Sequence, residues 1–133
     1  MFRIKYSREI ALKILYELDA LKCDAAQAGP VIDEYFHYFR GPNPDEEQFI
    51  RRLVQTVLDD RQAIDEAIAA NLIGWKLGRL ALIDRNLLRM GIAEARFNSE
   101  KPIIIDDILR IAKKYSDAES YKLINAILDK VIP

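Results

Sequence analysis

The spacing of its apolar residues constrains this chain most. Along nearly its whole length they recur three and four positions apart, which stacks them on one face of a helix, whereas a half-buried strand would alternate every second residue. Ile10, Ala11, Ile14, Leu15, Leu18 and Leu21 form the first stripe, with Ser7 ahead of it as the predicted N-cap. Gly29-Pro30 predicts a break, after which Val31, Ile32, Tyr35, Phe36 and Phe39 mark a short second helix ending before Gly41-Pro42. Asn43, Pro44 and Glu46 supply a cap, a first-turn proline and a capping box. From there Phe49, Ile50, Leu53, Val54, Val57, Ile64, Ile68 and Leu72 predict one long third helix. The pattern pauses around Gly74 and Gly78 and resumes with Leu80, Ile83, Leu87, Leu88, Ile92 and Ala95. Gly91 inside this fourth helix costs ~1 kcal/mol relative to Ala and so predicts a close helix crossing. Pro102 opens a fifth helix with Ile105, Ile108, Leu109 and Ala112. Ser116 and Glu119 read as the capping box of a sixth, which carries Leu123, Ile124, Ile127, Leu128 and Val131. The expectation is one all-α domain of 133 residues built as two apposed three-helix bundles, an N-terminal helical subdomain over residues 1–74 and a C-terminal one over 75–133.

Composition removes whole classes of function. A single cysteine, Cys23, and a single histidine, His37, exclude an internal disulfide and any zinc site built from three or four Cys and His ligands. The doublets Asp59-Asp60 and Asp106-Asp107 are not preformed metal sites, because neighbours on a helix point about 100° apart. No glycine-rich phosphate loop and no Glu-x-x-His pair occurs. The prediction is therefore a binding module with no catalytic residues, no metal and no cofactor. No apolar run approaches the roughly 20 residues that span a bilayer, and Met1 to Ala20 carries seven charged residues. A soluble, cytoplasmic protein without a membrane partner is expected.

The formal net charge of −1 hides an uneven distribution. Residues 1–23 carry five basic and three acidic side chains, residues 24–60 three and eight, and residues 76–96 five and two. Two basic segments bracket an acidic one, a pattern that suits either one positive face or ordinary solvated helices. Arg85 and Arg89, four apart, share a helical face.

Several ordered segments carry a resemblance. They are Arg8-Glu9-x-Ala11 followed by Leu15-Tyr16 and Asp19, then Trp75-x-Leu77-x-Arg79-Leu80, and Asp84-Arg85-x-x-Leu88-Arg89 with Ala93-Glu94. Ala112-Lys113-Lys114-Tyr115, and Glu119-Ser120 with Ile124-Asn125 and Leu128-Asp129-Lys130, complete the series. Together, over about Arg8 to Lys130, they resemble the NusB family of bacterial transcription antitermination factors. The resemblance implies an all-helical fold, recognition of single-stranded boxA RNA in ribosomal transcripts, pairing with the small-subunit ribosomal protein that acts as NusE, and a place in the RNA polymerase antitermination complex. Single strands expose base edges and need cations for phosphates with flat or amide groups for bases. The implied RNA-binding residues are Arg3, Lys5, Tyr6, Arg8, Arg85, Arg89, Glu119, Ser120 and Leu123, and the implied partner-binding residues are Tyr16 and Asp84. For Arg85 and Arg89 an intramolecular ion pair tying the two bundles together is an equal alternative, and for Glu119 and Ser120 so is helix capping. Asn125 is expected to make a buried structural hydrogen bond.

This chain departs from the family pattern in a thinner N-terminal basic cluster, in Leu123 where an aromatic is common, and in Ala126 where a glycine is common. Those departures keep two other readings open. One is a helical protein-interaction module, self-associating as a homodimer, with weakened RNA binding. The other is a stand-alone relative of the N-terminal domain of RNA cytosine methyltransferases, in which catalysis would have to reside elsewhere.

Overall fold

The computed structural model describes every residue except Trp75, so that position, the first of the Trp75-x-Leu77-x-Arg79-Leu80 motif and the predicted subdomain boundary, lies outside the described residues. The described residues form seven α-helices: α1 (Ile4–Ala20), α2 (Ala25–Tyr38), α3 (Pro44–Asp59), α4 (Arg61–Ala69), α5 (Leu82–Glu94), α6 (Lys101–Tyr115) and α7 (Ala118–Val131). A short 3-10 turn, Leu77–Arg79, precedes α5, and no strand occurs among the described residues. The all-α expectation holds, with one helix more than the six predicted. The extra helix arises because the predicted third one is two. Asp60 (φ −102°, ψ 13°) leaves helical geometry and separates α3 from α4, yet Val57, Ile64 and Ile68 on either side are all buried. A one-residue interruption that keeps both stripes facing the same core is invisible to apolar spacing.

Local chemistry moves three other boundaries. Ser7 is not a cap: α1 begins at Ile4, and the buried Ser7 hydroxyl donates to the Arg3 carbonyl at 2.8 Å. The Gly29-Pro30 break does not occur, because Asp24 and Gln27 form a reciprocal capping box that starts α2 earlier and the helix runs on through Pro30. Pro30 and Ala26 are exposed, so water can satisfy the carbonyl that proline leaves without its N–H partner. The cap of α7 is Asp117, which accepts from the Ser120 N–H at 2.8 Å, while Ser116 closes α6 and its hydroxyl donates to Asp84. Asn43 and Glu46 do form the predicted box at the start of α3. Asn125 is exposed on α7, so its predicted buried hydrogen bond is not made.

The centre of the structure is α5, which packs against α1, α3, α4, α6 and α7. A Cβ at Gly91 would lie 3.0 Å from Leu128 Cδ2, so the close crossing predicted there is that of α5 on α7. A helix surrounded on nearly all sides cannot keep a polar face in water. In α5, Asp84, Asn86, Arg89 and Glu94 are all buried and must find partners inside.

Candidate nucleic-acid and partner interface

One predicted RNA cation, Arg8, lies in the interior. Arg8 is 1% exposed, three residues before Ala11 and seven before Leu15, on the buried stripe of α1. Its Nε donates to Glu94 Oε1 at 2.8 Å, Nη2 to Glu94 Oε2 at 2.6 Å and Nη1 to Asp107 Oδ2 at 3.1 Å. Two carboxylates therefore answer one guanidinium between α1, α5 and α6, and a bidentate pair of this kind is the geometry arginine favours. Arg110 donates to Asp107 at 2.6 Å and, with Lys114, to Glu9, which extends the network to the surface. Arg8 is thus held in the interior by two carboxylates. The fold puts its charge on the core face.

Arg85 and Arg89 share a face as their spacing requires, and that face meets Asp19 of α1. Arg85 donates through Nε and Nη2 to the two Asp19 oxygens at 2.7 and 2.8 Å. Asn86 Nδ2 and Arg89 Nη1 also donate to Asp19 Oδ2, at 2.9 and 3.0 Å. Arg89 completes a second bidentate pair with Asp65 of α4, at 2.8 and 3.0 Å. Burial of Asp19 would raise its pKa, but the donors from Arg85, Asn86 and Arg89 outweigh it and hold the carboxyl at about 2. Both arginines form the ion pairs of that alternative, and their guanidiniums tie α1 and α4 to α5; Arg89 is buried and Arg85 half-buried.

At the N-terminus Arg3 is half-exposed but engaged. Its Nε and Nη2 donate to Glu46 at 2.9 and 2.8 Å, Nη2 reaches the Gly41 carbonyl at 3.1 Å, and the guanidinium lies 4.1 Å from the Tyr6 ring centroid. Glu46 is fully buried, and Arg3 with the Asn43 and Arg3 backbone amides lowers its pKa to about 2 against the opposing effect of burial. Arg3 therefore covers one face of Tyr6, one of the implied RNA-binding residues. Lys5 is exposed and makes no ion pair with any described residue.

The remaining predicted residues line two grooves. Tyr16, 43% exposed, sits with Leu12, Ile83 and Tyr115 around a small apolar groove of about 190 Å³ whose rim carries Glu9 and Lys13. A larger groove of about 630 Å³ runs between the end of α4, the 3-10 turn, the start of α5 and α7. It gathers Asp84, Glu119, Ser120 and Leu123, together with Arg79 and Lys130, which lie outside the predicted set. Asp84, expected at the partner surface, is buried and accepts from Ser116, so it reaches the larger groove only from beneath. Arg79 belongs to the second basic segment and is exposed, whereas Arg85 and Arg89 of that segment are consumed. Arg79 lies on the 3-10 turn ahead of α5, whereas Arg85 and Arg89 lie on the α5 face that meets α1 and α4. The N-terminal residues and the groove are not brought together. Arg8 meets α5 at Glu94 and the groove meets it at Asp84, which are ~15 Å apart along the helix at 1.5 Å per residue. Among the described residues no three His, Cys, Asp or Glu side chains converge to hold a metal ion, and no helix is long and apolar enough to cross a membrane.

Comparison with known proteins bears on the whole of this architecture. The model of the NusB family matches residues 5–133. The transcription antitermination protein NusB of Staphylococcus carnosus is 37% identical over 96% of this chain and 97% of its own length. That of Trichlorobacter lovleyi is 36% identical over 94% and 87%. Among solved structures, T. maritima NusB superposes with a TM-score of 0.86 at 25% identity, covering 99% of this chain and 92% of its own. A chain from the crystal structure of antitermination factors NusB and NusE in complex with dsRNA superposes with a TM-score of 0.83 at 28% identity, covering 96% and 94%. Matched along essentially its full length in both sequence and fold, the chain belongs to the NusB family.

Proposed function

We propose that this protein is an RNA-binding transcription antitermination factor that works together with NusE. The observation that carries the proposal is the whole-chain likeness to a structure solved with NusE and RNA. The RNA of that complex is double-stranded; the substrate proposed here is a single strand of boxA type from a ribosomal transcript, and the setting is the antitermination complex of RNA polymerase. The two grooves divide the work. The larger one, with Leu123 as an apolar wall and Ser120 and Glu119 as polar groups, suits splayed bases, because stacking and edge hydrogen bonds are how single strands are held. The smaller one, with Tyr16 at its mouth, suits an apolar side chain of NusE flanked by the opposite charges of Glu9 and Lys13. The test is a titration of labelled boxA strand into the protein with and without NusE, at several salt concentrations. Salt-sensitive binding that tightens with NusE is expected. Neither binding nor enhancement would sink the proposal.

A second reading, a self-associating module with weak RNA affinity, draws support from the internal use of Arg8, Arg85 and Arg89. Light scattering over a concentration series, with and without RNA, separates the two. A dimer that persists in saturating RNA favours the second.

A further inference from the structure

We infer that Arg79 and Lys130 are the phosphate-binding cations of the larger groove, a function that neither Arg85 nor Arg89 can serve there. The inference rests on the RNA-binding reading above and adds the residues that supply its electrostatics. Arg8, Arg85 and Arg89 each face a carboxylate within 2.6 to 3.1 Å. Turning Arg8 to a phosphate would leave the buried Glu94 without its cation, and turning Arg85 or Arg89 would break a bidentate pair with Asp19 or Asp65. Arg79 and Lys130 carry no such debt. Both are exposed, and neither makes a side-chain hydrogen bond or ion pair with any described residue.

Arg79 is also held in place by its backbone. It closes the 3-10 turn with its N–H on the Lys76 carbonyl at 2.9 Å, followed by the Leu80 N–H on Leu77 at 3.1 Å. The turn fixes where its side chain starts while leaving its guanidinium unspent. Lys130 comes from the last turn of α7, so the two charges reach the same groove from different elements. Three carboxylates share the groove with them. Asp84 is buried and receives the Ser116 hydroxyl, and Asp117 accepts from the Ser120 N–H as the cap of α7. The Glu119 side chain alone makes no hydrogen bond or ion pair with any described residue. Leu80 and Leu123 supply the apolar surface against which a base can lie while its phosphates meet Arg79 and Lys130.

The experiment is a fluorescence anisotropy titration of a labelled boxA-type single strand across a salt series, with wild type, Arg79→Ala, Arg79→Lys, Lys130→Ala and Arg79→Ala/Lys130→Ala. Each alanine should weaken binding several-fold and remove about 0.7 from the slope of log affinity against log salt, the share of one single-strand phosphate contact. The double variant should remove about twice that. Arg79→Lys should keep the wild-type slope, because it keeps the charge. Circular dichroism should be unchanged throughout, since neither side chain has an internal partner to lose. If Arg79→Ala and Lys130→Ala bind with the wild-type slope, the inference is overturned while the RNA-binding reading stands. If wild type itself shows no binding, the reading falls and the inference falls with it.

Discussion

Arg8 shows how a residue's place in the helical period can outweigh its chemical type. A basic residue in a basic N-terminal segment reads as a phosphate ligand, yet its phase with Ala11 and Leu15 puts it in the core, where only carboxylates can stabilise it. Its pKa is raised: burial works against the charge, and the hydrogen bonds and charges of Glu94 and Asp107 more than offset that. Arg8→Ala should therefore act on stability and not on RNA contact. It leaves the buried Glu94 without its cation, while Asp107 keeps Arg110, and breaking a buried pair in this way costs about 3–5 kcal/mol. Urea denaturation at neutral pH measures the loss directly. A variant as stable as wild type would show that the network carries no net stabilisation. Arg79 and Arg85, six residues apart, make the same point in the opposite sense. One ends a surface turn and is uncommitted, while the other lies on the α5 face turned to α1.

At the scale of elements, caps decided boundaries that apolar spacing could not. Helix α2 spans Pro30 because the Asp24–Gln27 box fixes its first turn, and only the exposed side of the helix loses a hydrogen bond. Asp24→Ala should destabilise the protein by about 1 kcal/mol, the usual worth of an N-cap. Pro30→Ala should stabilise it by up to ~3 kcal/mol, because the helix regains an N–H and loses a ring clash. Thermal melts of both variants should move in opposite directions, and a lower midpoint for Pro30→Ala would mean that the proline relieves the unfolded chain more than it strains the helix. Asp65 of α4, five residues beyond Asp60, pairs with Arg89 of α5.

Across the whole molecule, two carboxyls tie distant elements together and set a limit on acid stability. Asp19 joins α1 to α4 and α5, and Glu46 joins the N-terminus to α3. Both titrate at about 2 when folded, against ordinary values of 3.8 and 4.5. Depressed pKa values mean that the stabilisation is complete above the unfolded value and is lost as pH falls from about 4.5 through 2. Melting temperature should drop steeply across that window, and Asp19→Asn should lower stability at neutral pH and flatten the drop. An unchanged acid profile in that variant would remove Asp19 from the account. The family, the all-helical class and most helix positions were legible in the sequence, because apolar period and short capping patterns are local and survive translation into structure directly. Leu123, Glu119 and Ser120 entered through the family resemblance, and in the structure they line one groove. The tertiary structure alone decided which charges face water. That choice depends on which helix lies against which, and α5 at the centre of the packing spends Arg8, Arg85 and Arg89 on internal carboxylates while leaving Arg79 and Lys130 uncommitted at the groove.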